Sequence, residues 1–134
     1  MTAPLPPEVV AHGVDLVEDA RIAAMVAEHG DRFLTRVFTA GERAEAARGG
    51  SLRTERLAAR FAAKEAVLKA LGTGWSGGIA WTDVEVVKAA NGRPGVALHG
   101  EAAEVAARLG VTNWHLSLTH AGGFSLASVV ASRR

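Results

Sequence analysis

Apolar and polar positions along the chain predict five strands and four helices. The segment VVAHGVDLV, residues 9–17, is mostly apolar and β-branched, which indicates a buried strand. Asp15 lies inside it, on the face shared with Gly13. Because an unpaired carboxylate in a buried strand is costly, Asp15 either caps the helix that follows or belongs to a site.

The predicted helices combine an apolar period of 3.6 residues with recognisable ends. Acidic residues favour the first turn of a helix, and glycine favours its end. These signals give one helix from about Glu18 to Gly30, a short one after Thr39, a long one from Ser51 or Thr54 to Leu71, and one over residues 101–110. Gly72 is well placed to end the long helix.

The other four strands are predicted in two pairs. They cover residues 81–89, 95–100, 114–120 and 124–132. Asn91-Gly92 is a strong signal for a tight hairpin in the first pair, and residues 121–123 separate the second. We therefore expect a single α+β domain, a mainly antiparallel sheet with the long helix packed on it.

The long helix carries charged residues close to its apolar stripe. The stripe consists of Leu57, Phe61, Leu68 and Leu71. At about 100° per residue, Lys64 falls in the middle of that arc, Glu65 at its edge and Lys69 just beyond. One interpretation is an ordinary helical ion pair between Glu65 and Lys69, with Lys64 snorkelling to water. The other is that the helix forms the wall of a site.

A site at this helix would suit a metal ion and a phosphate. Glu65 offers a carboxylate, Lys69 places a cation beside it, and the glycines of residues 72–78 let a ligand approach the backbone. Mg²⁺ usually takes one or two protein carboxylates and completes its shell with phosphate oxygens and water. Asp15 is the natural second carboxylate, so the residues predict a Mg–phosphate site.

Composition limits the classes of function. The 134 residues, 49% of them apolar, fit one domain with a real core. The absence of cysteine excludes disulfides, thiolate metal sites and cysteine nucleophiles. A net charge of +1 argues against a general nucleic-acid binder, and no stretch suits a membrane span. Residues 1–8 look like a loose leader rather than a signal peptide, so a cytoplasmic protein is expected.

Basic residues are unevenly distributed. The chain has twelve arginines and three lysines, and two of the lysines lie in KEAVLK, residues 64–69. A compact ammonium at these positions suits a phosphate. Five arginines lie between Arg43 and Arg60, against two acids. This patch either meets an acidic partner or a phosphate, or is a solvated helix surface.

The segment WHLSLTH, residues 114–120, contributes two histidines. His120 ends the predicted strand beside a Gly-Gly turn, where a histidine is either structural or catalytic. The sequence has no nucleophile elbow, P-loop or dinucleotide fingerprint. Reasoning from residue types therefore ends at the Mg–phosphate site.

Six motifs in a fixed order resemble one family. They are GVDLVEDAR, FTAGE, RFAAKEAVLKALGTG, WTDVEVV, NGRP and HLSLTH. In this order and spacing they closely resemble the holo-acyl-carrier-protein synthases, the small stand-alone 4′-phosphopantetheinyl transferases. The resemblance implies one domain over residues 9–131 with the fold of that family.

The resemblance also implies a reaction. Such enzymes transfer 4′-phosphopantetheine from coenzyme A to a serine of apo-acyl carrier protein and release adenosine 3′,5′-bisphosphate. Mg²⁺ bridges the pyrophosphate and the enzyme, and members of this size are typically homotrimers with sites at the subunit interfaces. Whether the carrier serves fatty-acid or polyketide synthesis stays open.

Carried residue by residue, the resemblance assigns roles within these motifs. Asp15 and Glu65 match the Mg²⁺ carboxylates, and Lys69 matches the lysine against the phosphates. The proton of the carrier serine would pass to a metal-bound water, to Glu65 or to His120. Arg21 matches a position on the helix that meets the carrier protein. The residues assigned to coenzyme A, or to support around it, are Arg60, Lys64, Gly72, Gly74, Arg93, Pro94 and His115.

Two positions depart from the expected family pattern. Ala121 follows His120 where many relatives carry an acidic residue, which weakens a mechanism that needs a carboxylate beside the histidine. His12 stands where a small or apolar residue is expected. Asp15 and Glu65 are both present, which favours an enzyme over two alternatives. These are a non-catalytic module that binds coenzyme A or carrier protein, and another Mg-dependent nucleotide transferase.

Overall fold

A computed structural model describes residues 8–133 of the chain. Its strands are β1 (Val9–Glu18), β2 (Val84–Lys88), β3 (Pro94–Leu98), β4 (Asn113–Ala121) and β5 (Phe124–Ser132). Its α-helices are α1 (Asp19–His29), α2 (Asp31–Val37), α3 (Ala40–Ala47), α4 (Arg53–Leu71) and α5 (Gly100–Arg108). Short 3₁₀ turns precede α4 and β2, at Gly50–Leu52 and Trp81–Asp83.

The strands form two antiparallel units. β5 lies in the centre of a three-stranded sheet, between β1 and β4, and β2 pairs with β3 in a separate ribbon. Each of these pairings is antiparallel. The predicted α+β class, with a long helix on an antiparallel sheet, is confirmed.

Helix α4 packs on the inner face of the three-stranded sheet and occupies the core. The predicted apolar stripe is buried, including Leu57 and Leu68. Alanine fills many of the other buried positions of the helix, such as Ala62 and Ala66. These small side chains let the helix lie close to the strands. Gly72 ends α4 in the left-handed conformation, with φ 77°, as the sequence predicts.

Two helix starts differ from the prediction. Neither Ser51 nor Thr54 caps α4, because the 3₁₀ turn Gly50–Leu52 leads directly into the helix and no side-chain cap is formed. The sequence did not indicate α2, since this helix begins one residue after α1 ends, with Gly30 between them. The short helix expected after Thr39 is confirmed as α3.

The connection between β2 and β3 is longer than a two-residue turn at Asn91-Gly92. It spans residues 89–93, and Gly92 takes a positive φ of 84°. Ala89 N donates to Arg93 O at 2.8 Å, which extends the ribbon by one bond. The hairpin itself is present as predicted.

The first and last described residues, Glu8 and Arg133, are hydrogen-bonded to each other beside the sheet. Of the expected leader, residues 1–7 lie outside the described residues. Glu8 is described, and its carbonyl accepts a bond from Arg133 N at 2.7 Å. Paired structure thus extends beyond residue 131, to the end of β5. Among residues 8–133, no helix is both long and apolar enough to cross a lipid bilayer.

Candidate active site

β1 and α4 cross in close contact at Gly13. A Cβ atom at this position would lie 1.9 Å from Ala66 O and 3.1 Å from Ala70 N, so only glycine fits. Asp15 follows two residues later, on the same face of β1. The close crossing therefore brings the Asp15 carboxylate to the side of α4.

Lys69 reaches Asp15 from the last turn of α4. Its Nζ lies 3.0 Å from Asp15 Oδ1 and donates to Val14 O at 3.0 Å. The Lys69 side chain is 56% exposed and that of Asp15 is 17% exposed. Within the part of the chain described, no ion pair joins Glu65 to Lys69, because the lysine turns to the strand instead. Asp15 does not cap α1, whose N-cap is Glu18.

Glu65 faces the glycine-rich loop that follows α4. Its Oε1 accepts a hydrogen bond from Trp75 Nε1 at 3.4 Å. The Trp75 ring packs on Trp81, with 3.7 Å between the ring centroids. Gly72 and Gly74 have positive φ values of 77° and 58°, which lets the loop turn back toward the helix.

Asp15 contacts Lys69, and Glu65 lies four positions before Lys69 on α4, about one helical turn away. Both carboxylates supply hard oxygen donors, which suit Mg²⁺ rather than a soft metal. Among residues 8–133, no group of three or more His, Cys, Asp and Glu side chains could hold a metal ion. A cation bound here would therefore use two carboxylates and take its other ligands from a bound molecule and water.

Lys64 is fully buried, and its partners lie inside the protein. Its Nζ is 2.8 Å from Glu42 Oε1, and neither side chain has exposed surface. The same ammonium donates to the backbone carbonyl of Trp81 at 3.1 Å and to that of Val84. Burial lowers the pKa of Lys64, and the Glu42 carboxylate opposes this shift. Lys64 neither snorkels to water nor offers its ammonium to a ligand, so of the two expected roles only internal support fits.

A cavity of about 580 Å³ lies between α4, the β2–β3 ribbon and β4. Arg56, Arg60, Arg93 and Pro94 line it. Arg60 Nη1 donates to Arg56 O at 3.1 Å, whereas Arg60 Nε is the one buried side-chain nitrogen or oxygen in residues 8–133 without a partner. Burial lowers the pKa of Arg60. A guanidinium with an unused donor beside a cavity suits an anionic group.

The candidate residues fall into two groups on opposite faces of α4. Lys69 lies nine positions after Arg60, which places the two residues about 180° apart around the helix and ~14 Å apart along its axis. Asp15 and Glu65 accompany Lys69, and the β2–β3 hairpin residues accompany Arg60. This chain by itself therefore does not bring all the predicted site residues together.

The two histidines of β4 lie on opposite faces of that strand. His115 Nε2 is 3.0 Å from Ser132 Oγ, on the face turned away from α4. His120 Nδ1 is 2.8 Å from Ser125 Oγ. The register pairs His120 with Ser125, in the row next to the one that contains Asp15. His120 thus shares the inner face of the sheet with Asp15, and His115 does not.

Arg21 lies on the exposed side of α1, beside a second cavity of about 390 Å³. Its guanidinium carbon is 5.5 Å from the centre of the Phe61 ring. Arg32 and Arg36 line the same cavity, together with apolar side chains such as Met25. A groove that is basic at its rim and apolar at its floor suits an acidic protein partner.

Three side chains that are linked to Glu65 or His120 were missed in the sequence. Trp75 contacts Glu65, and Ser125 and Asp19 connect to His120. A large aromatic residue inside a glycine-rich loop is the signal that could have found Trp75. Nothing local marks the other two, because only the sheet register brings β5 beside His120.

Comparison with known proteins identifies the family. A family profile described as the 4′-phosphopantetheinyl transferase superfamily matches residues 11–127. The chain belongs to this superfamily. The holo-[acyl-carrier-protein] synthase of Solibacter usitatus is 47% identical over 122 residues, which cover 91% of this chain and 97% of that protein. The synthase of Frankia casuarinae is 51% identical over 123 residues, covering 92% and 97%.

Solved structures share the fold of this transferase. The holo-[acyl-carrier-protein] synthase of Neisseria meningitidis has a TM-score of 0.82 and 32% identity, covering 92% of this chain and 98% of that one. The Bacillus anthracis synthase, solved in complex with CoA (3′,5′-ADP), has a TM-score of 0.74 and 36% identity, covering 95% and 99%. The fold expected from the motifs is confirmed.

Proposed function

We propose that this phosphopantetheinyl transferase is a holo-[acyl-carrier-protein] synthase. It moves 4′-phosphopantetheine from coenzyme A to a serine hydroxyl of an apo-acyl carrier protein and releases adenosine 3′,5′-bisphosphate. The names of the relatives and the coenzyme A complex of one of them support this activity. The observation that carries the proposal is the meeting of Asp15 and Lys69, one turn from Glu65, where β1 crosses α4.

The donor set at this crossing fits Mg²⁺. Asp15 and Glu65 would hold the ion, and the pyrophosphate of coenzyme A would complete its oxygen ligands. When bound, Mg²⁺ supplies charge neutralisation at the phosphate that departs. The Lys69 ammonium, already at the surface and only partly held by Asp15, lies against the same phosphates and stabilises their charge. Gly72 and Gly74 leave room for coenzyme A beside the end of α4.

The cavity on the opposite face of α4 is the second half of the substrate site. Arg60 and Arg93 line this cavity and supply cations, and the buried Arg60 Nε has no hydrogen-bond partner among the described residues. Pro94 shapes the wall at the hairpin. We assign this cavity to a phosphate-bearing part of coenzyme A. Lys64 supports the site from within the core, and His115 lies outside the cavity, on the outer sheet face.

A second protomer completes the site, because Arg60 and Lys69 point away from each other. The outer face of the three-stranded sheet provides a surface for assembly. Leu16 is 59% exposed and Val14 43% exposed on this face, and Leu126 lies opposite Leu16 in the register. Packing such a face against another copy removes apolar surface from water. Three protomers, as the motifs imply, give a homotrimer with its sites between subunits.

The carrier protein is the acidic partner of this enzyme. Arg21, Arg32 and Arg36 form a basic groove beside α1 that attracts an acidic surface and raises the rate of encounter. The proton of the carrier serine passes to a group at the Asp15 side of the site, where Glu65 and His120 are the candidates from this chain. We propose that the enzyme acts in the cytoplasm, the location expected from the sequence.

The test is to incubate the protein with coenzyme A, Mg²⁺ and an apo-acyl carrier protein and to weigh the carrier by intact-mass spectrometry. We expect the carrier to gain one phosphopantetheinyl group. Glu65→Gln removes the gain, and Glu104→Gln, an exposed carboxylate on α5, does not. Bound coenzyme A without any gain by several carriers would instead support a binding module. Turnover of nucleotides without coenzyme A or carrier would support another transferase.

A further inference from the structure

A hydrogen-bonded chain connects His120 to a carboxylate on another element. His120 Nδ1 lies 2.8 Å from Ser125 Oγ, and Ser125 Oγ donates to Asp19 Oδ1 at 2.6 Å. The three residues come from the end of β4, the start of β5 and the first turn of α1. His120 has no acidic residue beside it in the sequence. Asp19, 101 positions earlier, supplies a carboxylate that is connected to His120 through the hydroxyl of Ser125.

The number of protons fixes the direction of these bonds. An ionised carboxylate only accepts, so Ser125 must use its single proton to donate to Asp19. Ser125 Oγ can then only accept from His120, which requires a proton on Nδ1. In the neutral imidazole the other nitrogen, Nε2, therefore carries the free lone pair.

Packing alone does not explain why position 125 carries a serine. Its side chain is fully buried, and the next inward residues of β5 are Ala127 and Val129. Alanine would fit the same place, and a buried hydroxyl needs hydrogen-bond partners. The link between α1 and the β4–β5 turn does not depend on it, because Asp19 N already donates to Gly123 O at 2.9 Å.

We propose that Ser125 and Asp19 are positioning residues that hold His120 in the tautomer with Nε2 unprotonated, so that Nε2 accepts the proton of the carrier serine. This inference rests on the proposed transfer reaction. The exposed imidazole lies on the inner face of the sheet, which also carries Asp15. The strands of the two residues, β4 and β1, are two strand spacings, roughly 10 Å, apart.

The step balances without another reactant. The O–H bond of the carrier serine breaks and its proton moves to His120 Nε2. The serine oxygen forms a bond to the β-phosphorus of coenzyme A, and the bond from that phosphorus to the bridging oxygen breaks. The electron pair of that bond stays on the departing adenosine bisphosphate. The imidazolium that forms is stabilised by the Asp19 carboxylate through Ser125.

The test compares Ser125→Ala with Ser125→Thr, which keeps the hydroxyl, and with Asp19→Asn, which keeps an acceptor oxygen without the charge. Long-range ¹H–¹⁵N NMR in alkaline buffer reports the ring tautomer, and His120→Gln assigns the signals. We expect Nδ1–H in the wild type and in Ser125→Thr, and a shift to Nε2–H in Ser125→Ala. The kcat of Ser125→Ala should fall by about tenfold or more, with KM for coenzyme A unchanged.

The outcomes separate the inference from the proposed function. An unchanged tautomer or an unchanged kcat in Ser125→Ala would overturn the positioning role, as would full activity in His120→Gln, although transfer itself would stand. A fall in kcat that Ser125→Thr does not share, together with the change of tautomer, supports it. If the wild type transfers no phosphopantetheine, the proposed function fails, whatever the tautomer.

Discussion

The ammonium of Lys64 and the carboxylate of Glu42 form an ion pair of 2.8 Å with no exposed surface on either side chain. Glu42 Oε1 also accepts from Thr39 N at 2.9 Å, and Oε2 accepts from Val86 N at 2.8 Å. One buried pair thus joins α3, α4 and β2. A charge buried in this way is costly as soon as its partner is removed.

Lysine-to-methionine substitutions five positions apart on α4 should have contrasting effects. Lys64→Met leaves the Glu42 carboxylate buried without a counter-charge, so we expect the free energy of unfolding to fall by about 3–5 kcal/mol. Lys69→Met removes a pair whose lysine is 56% exposed, so it should cost far less, about 1 kcal/mol, but should abolish transfer. Urea denaturation and the carrier-mass assay measure the two effects. Equal stabilities of the two variants would contradict the buried role of Lys64.

Stability in acid should depend on Glu85. Thr39 Oγ donates to Glu85 Oε2 at 2.6 Å, and His99 Nε2 lies 3.0 Å from Glu85 Oε1. The hydrogen bond from Thr39 is the larger cause that lowers the pKa of Glu85, and the contact with His99 lowers it further. Ionised Glu85 therefore stabilises the folded protein at pH values above the ordinary carboxyl pKa of about 4.3. This contribution is lost as the pH falls through the lowered pKa that Glu85 has in the folded protein. Glu85→Gln should therefore be less stable than the wild type at neutral pH and approach it in acid.

Denaturant midpoints measured between about pH 7 and pH 3 check this expectation. Glu28→Gln, on a side chain that is 73% exposed, is the matched control and should track the wild type. If the midpoints of Glu85→Gln and the wild type changed with pH in the same way, the Glu85 carboxylate would not contribute to the pH dependence of stability.

Assembly should depend on the outer sheet face. Leu16→Asp places a charge in the middle of this face, where we propose that another copy packs, and should give a monomer without transfer activity. Light scattering after gel filtration measures the mass, and circular dichroism confirms that the fold is kept. Leu109→Asp changes a leucine that is 40% exposed at the end of α5 and should leave the mass unchanged. A trimeric Leu16→Asp enzyme would contradict the assignment of the face.

The crossing of β1 and α4 should not tolerate a single added methyl group. Gly13→Ala places a Cβ 1.9 Å from Ala66 O, so the strand and helix must separate, and we expect a loss of about 1–3 kcal/mol or more together with loss of activity. Gly95→Ala is the control, since its Cβ would meet Val87 Cγ2 at an ordinary 3.5 Å. Thermal unfolding of both variants compares them. Similar melting temperatures would show that the crossing can relax.

The sequence predicted those features of the fold that depend on interactions between residues close together in the chain. The periodicity of α4, its end at Gly72 and the paired strands all depend on residues close in the chain. The partners of the charged residues do not. Glu42 pairs with Lys64 from 22 positions away, and Lys69 turns to Asp15 rather than to Glu65, because tertiary packing brings these groups together.

The residues of the candidate site could be proposed from the sequence, but their spatial arrangement could not. Asp15 and Glu65 could be proposed from the cost of buried charge and from the family motifs. That Arg60 faces away from Lys69 follows from helix periodicity, yet its meaning appears only once the cavity is located. Ser125 and Asp19 gave no signal, since alternation along β5 does not reveal which residue of β4 lies beside it.

If α4 contacts substrate on both of its sides, as we propose, each chain contributes to two different sites. If α4 gives Lys69 to one site and Arg60 to the next, a chain that lacks Arg60 and a chain that lacks Lys69 carry complementary defects. Mixed assemblies of the two would contain some sites in which both residues are intact. Two variants that are inactive alone would therefore regain activity when mixed. A chain with either substitution would also inactivate a site that it shares with an adjacent wild-type chain.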